Sequence, residues 1–414
     1  MFIKNFSRMI ESIKYFIKLI FFEQKYDVVF VSSSYFNRGK QGENLLLKPM
    51  IECCKNNDIN FIIFEDTDLK GNYDKFIKDK ESIPLDIISL FQILFRKLYY
   101  LNNSKPLSKD RIFEIELSIS KILKSIFFRK FNSKVYVTLL WNNITLWRSI
   151  NPYACVIDYQ HGIIFDGHEE SVKDGKPPKI KIANDVVTFV HGDLFKKILI
   201  NNDNSGFYSN DNVITIGINK ERASKSLVNN KKILFSLQIV PDFDNKLTYE
   251  LYIKIIEKII YNNAEFLSSN NYEIIFKHHP RFTPQKCPDL KIDYDFIRFD
   301  TTSSLDQLFE TVSLHMTFHS TTSIDAALNN IPTIFVDMHE DFSPDKIFLN
   351  QYKYPLENLI VKDYGELKNV LEKLYETQVF KNTCIEVEQW TKELYQDFNE
   401  PVFRDFLVDR IENI

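Results

Sequence analysis

Three short stretches of this chain carry side chains able to hold and transfer a phosphate-linked group. His319-Ser-Thr-Thr-Ser323, followed by Asp325, opens a short predicted helix that stops before Pro332. Unpaired N–H groups at a helix start, the positive end of its dipole and the hydroxyls of Ser320, Thr321, Thr322 and Ser323 all favour an anion there. Asp325 lies one turn in, within reach of a ribose. Lys277-His-His279-Pro280-Arg281 sets cationic and donor side chains at a strand-to-loop junction, with Pro280 fixing the backbone as it leaves the sheet. On its own this reads equally well as a basic surface loop. Beside the serine-rich turn, it offers fixed cations and N–H donors to the same phosphate.

The third stretch, Gln160-His161-Gly162-Ile-Ile-Phe-Asp166-Gly-His168, places two imidazoles and a carboxylate around glycines that allow tight turning. Asp166 or His161 could take the proton of an attacking hydroxyl, and a neighbouring carboxylate could orient a histidine such as His168. The plain alternative is a loop whose polar residues satisfy one another. All eight histidines fall between His161 and His339, several at predicted strand ends, where ligands bind in open α/β sheets. A catalytic metal is not expected: His315 and His319 lie in a strand-like run, where residues four apart are roughly 13 Å from each other, and no HExxH occurs. Neither a dinucleotide glycine fingerprint, a P-loop nor a GxSxG elbow is present. What remains is a transferase with an activated donor.

The elements that would position these residues alternate in kind. Strands are predicted at Tyr26–Val31, Asn60–Phe64, Lys134–Thr138, Cys155–Tyr159, Val186–Val190 and Val213–Gly217, with helices at Leu45–Lys55, Phe91–Tyr100, Ile112–Phe128 and Asp193–Leu199. After a polar stretch, Asn219–Lys232, the alternation resumes. Strands follow at Ile233–Leu237, Glu273–Lys277, Phe296–Phe299, Leu314–Phe318 and Thr333–Val336, with helices at Leu247–Ser268, Ser304–Thr311 and Ser323–Asn329. Trp390–Ile414 carries helical spacing. The expectation is an α/β chain in four parts: an amphipathic helix over 1–22, a domain over 23–220, a second over 230–389 and a helical segment over 390–414 that caps the structure or crosses back.

Bulk properties narrow the partners. The 414 residues suit two domains, and 52 Lys+Arg against 56 Asp+Glu give a net charge of −4, which supplies no field for nucleic acid. Cys53, Cys54, Cys155, Cys287 and Cys384 form no CxxC pair and read as buried thiols of a reducing cytoplasm. Within residues 1–22 the apolar positions are interrupted by Lys4, Arg8, Glu11, Lys14 and Lys18, which argues against a spanning helix. Such a helix could rest on an anionic membrane surface, although packing on a domain explains the same pattern.

With these residues in place, the chain resembles GT-B glycosyltransferases of bacterial surface polysaccharide synthesis, of sialyltransferase-like and capsule type. The resemblance rests on the HP motif at His279-Pro280-Arg281, the serine motif at His319–Ser323 and the QHG loop at Gln160-His161-Gly162, and it covers roughly Asp158 to Asp337. It implies two Rossmann-like, doubly wound domains facing a cleft, the nucleotide-sugar held by the second and a glycan acceptor by the first. By position, His279, Pro280, Arg281 and His319 through Ser323 would bind the donor phosphate. Asp325 would take the ribose where many relatives carry a longer glutamate. Asp166 would serve as general base, with His161 its rival.

The implied reaction is direct, metal-independent displacement, with no cofactor beyond a nucleotide-sugar donor. A CMP-sugar such as sialic acid or Kdo is favoured, and a UDP-sugar is the other choice. The acceptor would be a capsule, lipooligosaccharide or other surface glycan, met in the cytoplasm with peripheral contact at the inner face of the membrane. Competing readings are a polyol-phosphate transferase of teichoic-acid type, a nucleotide-sugar epimerase and an inactive GT-B scaffold subunit.

Overall fold

The computed structural model describes residues 2–34, 38–67, 77–101, 108–139, 143–220, 227–238, 246–279 and 290–413. The chain divides into two compact units, one of residues 1–219 with 395–414, the other of residues 220–394.

Short, continuous apolar runs are what a strand needs when helices cover both faces of its sheet, and the first unit is built from such runs. Its strands are β1 (Gln24–Ser32), β2 (Phe61–Glu65), β3 (Ser82–Pro84), β4 (Phe131–Leu139), β5 (Cys155–Tyr159), β6 (Val187–Val190) and β7 (Val213–Thr215). All pair in parallel, in the order β3-β2-β1-β4-β5-β6-β7. Trp147 stacks between Phe64 and Tyr136, with centroid distances of 5.7 and 5.4 Å. Around it Phe16 and Leu19 of the helix Phe2–Phe21 meet Ile115, Ile119 and Leu123 of the helix Lys109–Phe127.

The second unit repeats the plan with β8 (Lys232–Leu237), β9 (Glu273–His278), β10 (Ile297–Asp300), β11 (Leu314–Thr317), β12 (Thr333–Val336) and β13 (Ile360–Val361). Its parallel order is β10-β9-β8-β11-β12-β13. Both sheets are doubly wound: the chain steps outward on one side, returns and steps outward on the other. The reversal falls between β1 and β4 in one unit and between β8 and β11 in the other, and a crevice at such a reversal is where open α/β sheets take ligands.

The predicted strands and most predicted helices are present within a few residues, Cys155–Tyr159 and Thr333–Val336 with the predicted bounds. The edge strands β3 and β13 are three and two residues long, too short to carry a period. The C-terminal segment crosses back to the first unit as expected, but Trp390–Ile414 is not one helical stretch. A helix Thr377–Leu394 ends, and a separate helix Glu400–Asn413 begins after an Asn399 side chain that accepts from Val402 N at 3.2 Å, with Pro401 in the first turn.

Between those helices the backbone is used for pairing. Gln396 N donates to His191 O at 2.9 Å, Ile218 N to Gln396 O at 2.9 Å and Asn399 N to Ile216 O at 2.8 Å. Gly217 makes this approach possible: its φ is +77°, and a Cβ there would lie 2.2 Å from Asp397 O. Cys53, Cys54, Cys155 and Cys384 are buried and free, and Cys287 lies outside the described residues.

Candidate functional site

At the reversal of the second sheet, the carboxyl ends of β8 and β11 meet the start of the helix Thr322–Leu328. Ser236 is the single hydroxyl in the apolar strand β8, and its Oγ lies 2.8 Å from His315 Nε2 of β11 and 2.8 Å from Thr322 Oγ1. His315 Nδ1 lies 2.9 Å from Thr333 Oγ1 of β12. Thr322 Oγ1 donates to Ser320 Oγ at 2.8 Å.

Burial pushes the His315 imidazole down to about 3, so it is neutral, with one donor and one acceptor nitrogen. The hydroxyl directions follow. Because Thr322 donates to Ser320, Ser236 donates to Thr322; His315 Nε2–H then donates to Ser236, and its Nδ1 accepts from Thr333. The chain ends at Ser320, whose own O–H is left to donate, and Ser320 and Thr322 line a cavity of about 840 Å³.

That cavity also meets Ser236, Lys277, His279, Asp300, Ser303 and Ser304, at the carboxyl ends of β8, β9 and β10. Lys277 Nζ donates to Ser303 O at 2.6 Å and sits 3.4 Å from Asp300 Oδ1. Asp300 also accepts from Ser303 N at 2.8 Å, from Thr302 N at 3.1 Å and from Ser303 Oγ at 2.8 Å. Burial pulls it up, but these donors hold it below the ordinary carboxylate value. His278 stacks on Phe299 at 5.8 Å.

The structure brings several predicted residues together and assigns others different tasks. His279, Ser320 and Thr322 face the cavity. Ser323 is buried and its hydroxyl donates to Ser320 O at 2.8 Å, which ties the turn. Thr321 stands exposed at the N-cap without a side-chain capping bond. The first helical N–H groups are partly engaged: Ser323 N donates to Ser320 O and Ile324 N to Thr321 O, at 3.1 and 3.0 Å, so hydroxyls carry more of the donor capacity than the sequence suggests. His319 Nδ1 lies 3.1 Å from Phe342 O and its N–H donates to Gln238 Oε1 at 3.1 Å; burial lowers its pKa, against the pull of the Phe342 carbonyl. Asp325 forms an ion pair with Lys220. Pro280 and Arg281 lie outside the described residues.

In the first unit the QHG loop leaves the carboxyl end of β5. Gln160 pins it, its Nε2 donating to Gly162 O and its Oε1 accepting from His191 N, both at 2.7 Å. His161 Nε2 lies 3.7 Å from Glu170 Oε2. Beneath it, Asp158 Oδ2 and Lys181 Nζ form a buried pair at 2.6 Å. Burial holds the His161 imidazole below its ordinary value, against the pull of Asp158 and Glu170. Burial opposes the charge of Lys181 as well, but Asp158 and Tyr208 hold it up at about 12. Asp166 bridges to Val172 through the backbone, Gly167 turns at φ +96°, and the His168 ring lies 4.9 Å from that of Phe165.

Sequence reasoning missed Ser236, Asp300, Glu170 and the Asp158–Lys181 pair. Ser236 left a signal, a lone polar residue near the end of the apolar run Ile233–Leu237, whereas Asp300 shares its short strand with Arg298 and did not stand out. Glu170 and Lys181 left none.

Known structures match the fold across nearly the whole chain. TarM of S. aureus, in complex with fondaparinux, alpha-GlcNAc-glycerol and UDP, is 12% identical with a TM-score of 0.53 over 93% of this chain and 99% of that one. An E. coli trehalose-6-phosphate structure bound with UDP-2-fluoro glucose is 11% identical with a TM-score of 0.51 over 94% and 99%. The fold is GT-B. The wall teichoic acid polymerase TagF shares it at 12% identity and a TM-score of 0.50, over 99% of this chain and 98% of its own. No family model matches the sequence, and no curated protein does. Within the GT-B fold the hydroxyl chain at β8 and β11 belongs to the second unit, and the His161 loop to the first.

Proposed function

We propose that the chain is a glycosyltransferase of the GT-B type that moves a sugar from a nucleotide-linked donor to a surface-glycan acceptor in the cytoplasm. The observation that carries this reading is the oriented chain from Thr333 through His315, Ser236 and Thr322 to Ser320, which ends at a cavity on the sheet reversal.

In this reading Ser320 and Thr322, with His279, Pro280 and Arg281 of the HP motif, hold the phosphate that leaves. Thr321 and His319 complete the turn, Ser323 braces it from beneath, and Asp325, steadied by Lys220, takes the ribose. His161 is the preferred base. Burial holds its pKa below the ordinary value, and it faces the Glu170 carboxylate, which can orient the ring and stabilise the imidazolium. Asp166 and His168 are the other candidates in the loop. The acceptor hydroxyl gives its proton to the base as its oxygen bonds to the anomeric carbon. The bond from that carbon to the phosphate oxygen breaks, and the electron pair leaves with the nucleotide. Fixed dipoles stabilise the departing charge without reorganisation.

A CMP-sugar is the proposed donor and a UDP-sugar its competitor. Thermal shifts with CMP-, UDP-, GDP- and CDP-linked donors decide between them, because a ligand that binds only the folded state raises its stability. No shift with any donor overturns the reading. Transfer of a polyol phosphate is the second reading, favoured by the likeness to TagF over 99% of this chain; the mass of the product separates the two.

A further inference from the structure

We propose that two helices of the first unit, Phe2–Phe21 and Asp86–Leu101, form one face that docks on an anionic lipid bilayer. On the first helix Phe6, Ile10, Ile13, Ile17 and Ile20 are exposed at spacings of four and three, one stripe of a helix. Its opposite face, with Ser12, Phe16 and Leu19, is already committed to the core. The second helix exposes Leu90, Leu94, Leu98 and Leu101 in the same manner. Phe6 and Leu98 keep 66% and 59% of their surface open, a cost that packing within the unit does not explain.

The two helices are joined. Arg8 Nη2 of the first lies 3.0 Å from Asp86 Oδ2 at the start of the second, and Ile87 N donates to Ser12 Oγ at 3.1 Å. The two stripes therefore move together.

Charge selects the occupant. Each helix carries one acid, and both are in ion pairs: Asp86 with Arg8, and Glu11 with Lys78 at 2.9 Å. Among the described side chains, Lys14, Lys18 and Lys97 stand exposed on the helices, and Lys130 donates to Phe21 O at 2.8 Å beside the exposed Phe22. A second copy docked through the same face would set lysine against lysine, whereas anionic headgroups complement them. Among the described residues no helix is long and apolar enough to cross a membrane, so the face lies in the interface rather than through it.

The test is flotation of the full chain with vesicles of phosphatidylglycerol and phosphatidylcholine, beside vesicles of phosphatidylcholine alone. The chain is expected to float with the anionic vesicles only and to be released by salt. Ile17→Asp with Leu94→Asp lowers the bound fraction by about tenfold or more. Lys14→Glu with Lys18→Glu weakens binding to the anionic vesicles. Both double variants keep the melting temperature, because the changed side chains are exposed. Failure to float with anionic vesicles, or equal flotation of wild type and both variants, overturns the proposal. So does a dimer in solution that Ile17→Asp dissociates, since a second copy would then be the occupant. The donor-induced thermal shift, measured on the same variants, stands or falls separately.

Discussion

The polar cluster at β8 and β11 and the loop after β5 sit at the carboxyl ends of similar parallel sheets, yet their interiors are wired in opposite ways. The first is a chain of hydroxyls around a neutral histidine; the second rests on a buried ion pair with a histidine facing a carboxylate. A neutral chain lends directed O–H groups to an anion at almost any pH. A charged cluster instead holds one imidazole ready to accept a proton and to be steadied once it has. One sheet architecture thus carries a neutral hydroxyl chain in one unit and a charged cluster in the other, the contrast on which the proposed split between phosphate binding and proton transfer rests.

The largest expected effect breaks the comparison from the side of the loop. His161→Ala is expected to lower transfer by about 10²- to 10⁴-fold while the donor-induced thermal shift remains; unchanged turnover would move the base to Asp166 or His168. Next in size, Lys181→Met leaves Asp158 buried without its cation. Urea unfolding should register a loss of about 3–5 kcal/mol, far more than a hydroxyl deletion in the neutral chain costs. Ser320→Ala then tests the other side. Loss of a donor to a charged phosphate is worth about 1.5–3 kcal/mol, read as weaker donor binding in calorimetry with the unfolding midpoint kept.

Two pH responses sharpen the contrast with smaller effects. In Glu170→Gln one of the two pulls that raise the His161 pKa is removed while that of Asp158 stays, so the acidic limb of the pH–rate profile moves to lower pH. His315 carries the other response. Its folded pKa of about 3 lies below the ordinary 6.5, so the unfolded chain binds a proton that the folded chain does not. Its stability contribution is whole above 6.5 and is lost progressively toward 3. A His315→Gln variant should flatten the fall in melting temperature across that interval.

Much of the fold was legible because parallel strands buried on both faces must be short apolar runs, and Ile233–Leu237 or Thr333–Val336 can be little else. The hydroxyl-rich turn was legible for a similar reason: Ser320-Thr-Thr-Ser323 before an apolar helix has few other uses. The division of labour inside it was not. Ser323 turns inward to Ser320 O while Thr322 turns to Ser236, and that depends on side-chain directions set by neighbouring strands. Helical spacing through Trp390–Ile414 hid the break at Tyr395–Asn399, because the backbone there is claimed by Ile216, Ile218 and His191, which are distant in sequence.

The sequence by itself determined the alternation of strands and helices, the absence of nucleotide fingerprints and metal spacing, and which strand ends carry imidazoles and hydroxyls. These follow from local propensity and from residue type. Only the tertiary structure decided that His315 is a buried neutral relay, that Glu170 rather than a nearer residue in sequence faces His161, and that Arg8 and Asp86 join two exposed apolar stripes. Each is a contact between residues far apart in the chain or across a loop, and burial, which sets protonation and partner alike, exists only once the sheets have closed over them.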